Sequence, residues 1–90
     1  MKLVSKVKVK NRMGLHTRPA TTIVKLLQGS KCDVTITHKK ETINAKSILS
    51  ILMLAAGQNS RITIMVDGEE DIATDTMDKL LSVFENKFGE

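Results

Sequence analysis

LVSKVKVKNRMGLHTRPATTIVKLLQG, residues 3–29, changes its hydrophobic period halfway along, and that change decides the fold. Up to Lys10 the residues alternate, with Leu3, Val7 and Val9 on one face and Lys6, Lys8 and Lys10 on the other. A period of two belongs to a strand with one face in water. Ala20, Ile23, Val24 and Leu27 instead recur at i, i+3, i+4 and i+7, the stripe of a helix lying on a core. Asn11 to Gly14 keeps neither period and reads as a loop. The helix is expected to begin near His16 or Thr17. Pro19 falls in its first turn, where a missing N–H breaks no intrahelical bond, and Gly29 supplies the stop.

The same two periods recur outward along the chain. Val34 and Ile36 alternate with Asp33, Thr35 and Thr37 in a second strand, and Glu41 to Ala45 forms a short third one. His38-Lys39-Lys40 joins them as a tight polar connection, with His38 read as a solvent-exposed hairpin residue. Ser47 has the side chain of a helix N-cap, and Ile48 to Ala56 reads as a short helix closed by Gly57. Arg61 to Val66 alternates again as a fourth strand. After Asp67-Gly68, acidic residues occupy the first turn of a last helix, where they face the positive end of its dipole. Its apolar stripe is Ile72, Ala73, Met77, Leu80, Leu81 and Phe84. The order β-α-β-β-α-β-α predicts an α+β fold, a two-layer open-faced sandwich in which three helices cover one face of a four-stranded antiparallel sheet. Residues 1–90 leave room for a single domain.

Composition narrows the setting. The apolar-rich run Ile48 to Ala56 is too short to span a bilayer, so no direct membrane insertion is expected. Met1-Lys2 leads straight into alternating residues with no secretory signal, and the lone Cys32 forms no internal disulfide. A reducing, cytoplasmic location is therefore expected. The net charge of +4 permits nucleic acid or acidic protein partners, yet the chain has no Trp or Tyr and only Phe84 and Phe88 for stacking. Nucleic acid is accordingly not expected as a partner. The lysines near the N-terminal end read as a solvated strand face.

Few groups can carry chemistry. There is no HExxH, CxxC, Walker loop or GxGxxG, and no residue set that suggests a metal or cofactor. His16 stands out because it sits between a glycine loop and a helix start, followed by Thr17, Arg18 and Pro19. A helix start points unpaired N–H groups outward and carries about half a positive charge, which suits a phosphoryl group. An unprotonated ring nitrogen of the imidazole placed there is able to attack phosphorus. Arg18 can neutralise phosphoryl oxygens through its fork of donors. From these residues alone, His16 is either such a nucleophile or a histidine that caps a helix.

Gly14-Leu15-His16-Thr17-Arg18-Pro19-Ala20 resembles the active-site signature of the HPr family, the histidine-containing phosphocarriers of the phosphoenolpyruvate-dependent phosphotransferase system. Asn44-Ala45-Lys46-Ser47-Ile48-Leu49 resembles the family's second signature, around its regulatory serine, and the element order matches over essentially the whole chain. The resemblance implies a relay. Enzyme I, charged by phosphoenolpyruvate, passes its phosphoryl group to Nδ1 of His16, and the carrier donates it to an enzyme IIA domain for sugar uptake. Arg18 and the first-turn amides of Thr17 onward would hold the phosphoryl oxygens. Such a carrier is a stoichiometric relay component rather than an enzyme, needs no cofactor, and is expected to be a monomer. Asn11 to Gly14, Met53 to Gly57 and Phe88-Gly89-Glu90 also resemble the nitrogen-related branch, so the acceptor stays open.

Ser47 has two readings, a structural N-cap and a site modified by an HPr kinase/phosphorylase, as the family resemblance implies. The helix after it is apolar nearly all round, and one sheet can bury only one of its stripes. Ile48, Leu49 and Leu52 are assigned to partner docking, Ile51 and Leu54 mainly to core. Two other classes stay open. An acylphosphatase-like enzyme would release inorganic phosphate without a stable phosphoprotein. A basic RNA-binding module would show salt-sensitive RNA binding.

Overall fold

A computed structural model describes residues 1–90. The elements are β1 (Lys2–Lys8), α1 (Thr17–Leu27), β2 (Asp33–His38), β3 (Glu41–Asn44), α2 (Ile48–Met53), β4 (Arg61–Asp67) and α3 (Glu70–Glu85), followed by a 3-10 turn at Lys87–Gly89. The strands form one sheet in the order β1-β4-β2-β3, antiparallel throughout. Lys2 stands opposite Asp67 and Lys8 opposite Arg61, while Ile36 of β2 lies between Ile64 of β4 and Ile43 of β3. The predicted sandwich is the one that forms, because the alternation gives the sheet one apolar face. Ile36, Ile62, Ile64 and Val66 are buried there against Ala20, Ile23 and Leu27 of α1 and Met77, Leu80 and Phe84 of α3. Each large side chain fully buried contributes about 1.5–3 kcal/mol. A slip by one residue would turn a strand's whole set outward, so the register is fixed. No helix is long and apolar enough to cross a membrane.

Several local expectations are corrected. α2 ends at Met53 rather than Ala56. The N–H groups of Leu54 and Ala55 bond to Ile51 and Leu52, three residues back, which tightens the last turn, and Ala55 then takes φ +52° and leaves the helix. That ending reassigns His38, which is half-buried rather than solvent-exposed. Its Nδ1 lies 3.0 Å from the Leu54 carbonyl oxygen, giving a helix-end acceptor the donor it lacks. Ile72 is 38% exposed and outside the core stripe, which runs through Ala73, Thr76, Met77, Leu80 and Phe84. It sits one residue, about 100° of helix, to the side of Ala73. Thr76 takes an inward place instead, its Oγ1 3.9 Å from the buried Cys32 Sγ.

The end of the chain is turned back on itself. Lys87 and Phe88 both have positive φ, at 56° and 55°. Left-handed backbone costs a non-glycine residue roughly 1–2 kcal/mol. Burial of Phe88 offsets this, with its ring edge-on to Phe84 at 4.8 Å between centroids. This hook brings Glu90 to the start of α1. A second tie joins the loop after β1 to the end of α3. Lys10 Nζ donates to Glu85 Oε2 at 2.7 Å, and this bond holds the Glu85 carboxyl below the usual carboxylate value. Both side chains are exposed, so the tie is weak; it is complete above that usual value and fades as pH falls through the lowered one.

Candidate functional site

The site is built on the loop that joins β1 to α1. Gly14 has φ +68°, and a Cβ there would run into the Ala56 carbonyl oxygen and lie 2.6 Å from the Gly57 Cα. Only glycine lets this loop press against the segment that follows α2. Leu15 N–H donates to the same Ala56 oxygen at 2.9 Å, and the Leu15 side chain is buried. The next residue, His16, is thereby fixed at the N-cap of α1.

His16 does not act as a side-chain cap, because its ring makes no bond to the helix backbone. Nε2 instead lies 2.7 Å from Oε2 of Glu90, and Nδ1 has no partner within the chain. The His16 side chain is 29% exposed. The first intrahelical bond runs from Ala20 N–H to the His16 carbonyl oxygen at 3.0 Å. The N–H groups of Thr17 and Arg18 therefore lie ahead of the helical ladder, Pro19 has none, and two donors are left at the positive end of α1. Arg18 is exposed and forms no ion pair. Of the residues singled out from sequence, His16, Thr17 and Arg18 are thus brought together facing solvent, while Pro19 is buried beneath them.

Glu90 and Asn11 belong to the same cluster and were not legible in the sequence. Asn11 is 1% exposed, and its Nδ2 donates to the Gly14 carbonyl oxygen at 2.6 Å and to Glu90 Oε1 at 3.1 Å. One side chain thereby braces both the glycine loop and the carboxylate behind His16. Its Oδ1 is the one buried side-chain polar atom without a partner, a cost of about 1–3 kcal/mol that the site carries.

Beside His16 lies a concavity of about 270 Å³, lined by Met13, Leu15, Leu52, Ala55 and Ala56 among others. On α2, Ile51 and Leu54 are buried, as expected. Leu49 is 68% exposed and Ile48 borderline at 37%, while Leu52 is half-buried and lines the concavity. Met13 and Met53 are 70% and 73% exposed and enlarge the apolar surface. Ser47 is the N-cap of α2, its Oγ accepting from Ser50 N–H at 3.2 Å. No group of three His, Cys, Asp or Glu side chains is placed to hold a metal ion.

Residues 4–86 match the family model described as the PTS HPr component phosphorylation site. The chain is 46% identical over 82 residues to the phosphocarrier protein HPr of Chlamydia muridarum, covering 91% of this chain and 77% of that one. Among solved structures, HPr-C-His from Thermoanaerobacter tengcongensis superposes with a TM-score of 0.90 at 27% identity, covering 98% of this chain and 97% of the other. A phosphocarrier protein HPr from Bacillus anthracis gives 0.81 at 33% identity, with 90% and 94% covered. Glu90 falls beyond the residues that the family model matches.

Proposed function

Because the chain belongs to the HPr family of phosphocarriers, we propose that Nδ1 of His16 takes a phosphoryl group from phosphorylated enzyme I and passes it to an enzyme IIA domain of sugar uptake. The observation that carries this reading is the free Nδ1 at the head of α1, beside two unbonded N–H groups and the unpaired Arg18. The Nδ1 lone pair attacks phosphorus, the N–P bond forms, and the bond to the donor breaks with its electron pair leaving on the donor. The Thr17 and Arg18 amides and the Arg18 guanidinium face the charge on the phosphoryl oxygens. The reverse displacement by an acceptor discharges the carrier.

Intact-mass spectrometry after incubation with enzyme I and phosphoenolpyruvate tests the reading. An added mass of about 80 Da that is lost in mild acid is expected from phosphohistidine chemistry. Turnover of inorganic phosphate without any phosphoprotein would instead favour the acylphosphatase-like alternative. Offering the charged protein to sugar-branch and nitrogen-branch IIA domains assigns the acceptor, and discharge only by the latter would move it to the nitrogen-related branch.

Glu90 has a positioning role in the same proposal. By accepting a hydrogen bond from Nε2–H at 2.7 Å, it selects the tautomer whose lone pair is on Nδ1 and favours the positive charge that the ring gains on phosphorylation. Glu90→Gln is expected to slow charging by about tenfold, the worth of one charge-assisted hydrogen bond of roughly 1.5 kcal/mol. Rapid-quench mass spectrometry reads the rate, and an unchanged rate in a folded variant would remove Glu90 from the mechanism.

Docking is assigned to Leu49, Ile48 and Leu52. Leu49→Asp places a charge on a side chain that is 68% exposed, so the fold should keep its stability to within about 0.5 kcal/mol while charging by enzyme I slows several-fold. A loss of stability without a change in rate would assign Leu49 to packing. Ser47 lies at the head of this helix, and phosphorylation there by an HPr kinase/phosphorylase would set a negative charge next to Ile48 and Leu49 and weaken docking. A kinase from the same cell that leaves Ser47 unmodified would end that part of the proposal.

A further inference from the structure

The basic surplus of this chain is not used at the His16 site, and it gathers on the sheet face that no helix covers. Lys6 and Lys8 of β1, Arg61 of β4 and Lys39 of the β2–β3 turn line a concavity of about 480 Å³, with Thr37 and Thr63 among its other lining residues. The register explains the gathering. Lys8 stands directly across from Arg61, and Thr63 lies between Lys6 on one side and Thr37 on the other. Lys39 follows His38, the partner of Ile62, and so borders the Arg61 end of the sheet.

Like charges paired across strands repel each other, and none of Lys6, Lys8, Lys39 and Arg61 forms an ion pair with a carboxylate. The ion pairs of the chain use other side chains: Met1 with Asp67 at the far end of β4 from Arg61, Lys10 with Glu85, His16 with Glu90, and Lys79 with Asp75. Lys39 has φ +56°, a conformation in which glycine or asparagine would close the turn at less cost, so the turn itself does not explain a lysine there. The concavity has the volume of a small-molecule site and shares no lining residue with the one beside His16. We propose that the open sheet face binds a compact polyanion carrying two or more phosphates. Lys6, Lys8, Lys39 and Arg61 supply the counter-charge, and the Thr37 and Thr63 hydroxyls are the neutral donors. A nucleic acid is the less fitting occupant, because no aromatic side chain lies in the concavity to stack a base.

The test is an NMR titration of the ¹⁵N-labelled protein with inorganic tripolyphosphate and, separately, ATP, at roughly 100 mM salt, where surface charges more than about 10 Å apart are screened. The expected dissociation constant is about 0.1–1 mM, with shifts concentrated at Lys6, Lys8, Thr37, Lys39, Arg61 and Thr63. Equal affinity for the two probes identifies the phosphates as the whole ligand, and tighter binding of ATP adds a nucleoside. Lys8→Gln with Arg61→Gln should weaken binding by about tenfold or more, while Lys25→Gln on α1, a single charge removed elsewhere, should leave it nearly unchanged. Shifts scattered over all the lysines, or equal weakening by Lys25→Gln, would overturn the proposal. So would RNA binding through the same residues without tripolyphosphate binding.

Discussion

A His16→Ala chain is expected to stay folded and to take up no acid-labile phosphoryl group, in a sample where the unaltered protein is charged to completion. The His16 side chain is 29% exposed, and its ring makes one hydrogen bond, to Glu90. Truncation therefore removes no core packing, and stability should change by less than about 1 kcal/mol. The rate behaves differently, because no other side chain at the head of α1 is an imidazole: the Thr17 hydroxyl is neutral and could form only an acid-stable ester, Arg18 supplies charge and Pro19 holds geometry. Loss of the attacking group from a preorganised site costs at least about four orders of magnitude in comparable systems. Intact mass reads the phosphoryl group, and urea unfolding reads the fold. Persistence of the acid-labile mass in His16→Ala would move the chemistry to another residue, with His38 the remaining imidazole. His38 is a poor second, since its Nδ1 is held by the Leu54 carbonyl at 3.0 Å.

Gly14→Ala has the second largest expected effect, and it falls on stability first. An alanine at φ +68° carries a left-handed penalty of roughly 1–2 kcal/mol. Its Cβ also meets backbone, the Ala56 carbonyl oxygen and Gly57 Cα, so no flexible side chain can yield. Moving the loop away would cost the Leu15 bond to Ala56 and part of the burial of Leu15. Together these amount to about 3 kcal/mol or more, out of a total near 5–15 kcal/mol for a domain of this kind. In a thermal melt that corresponds to a fall of about 12 °C or more. Gly57→Ala is the matched control, since a Cβ there meets nothing within 4 Å. If the two variants melt together, the close approach at Gly14 is not what holds the loop. Surviving Gly14→Ala protein should also charge more slowly, because His16 would lose its fixed place beside Leu52 and Ala56.

The features legible in the sequence were those that a local pattern can carry. The four strands announce themselves by alternation, and the stripe Ala20, Ile23, Leu27 places α1 against them. Gly14, His16 and Pro19 mark the loop-to-helix junction through residues whose backbone preferences differ from their neighbours'. What failed lay in contacts between distant segments, or in conformations with no residue signature. Ala55 ends α2 in the left-handed region, although alanine is the strongest helix former, so α2 read too long. Burial of His38 depends on that ending, through a carbonyl 16 residues away. Glu90 reaches His16 across 74 residues, by way of two left-handed positions at Lys87 and Phe88 that no periodicity encodes. Ile72 reads as inward because it is apolar, whereas angular position around α3 turns Thr76 inward in its stead.

The strand order β1-β4-β2-β3 also governs when the molecule can come into being. β4 is the interior strand that joins β1 to β2, and it is the last strand made. Until it appears, β1 has no edge to pair with, and only the β2–β3 hairpin can close locally. The nascent chain therefore has to hold β1, α1 and α2 without a finished sheet beneath them, and the ring closure from Lys2 to Asp67 has the high contact order of a slow step. During synthesis, order in this sheet arrives late, and the histidine, made well before β4, is among the last to find its surroundings.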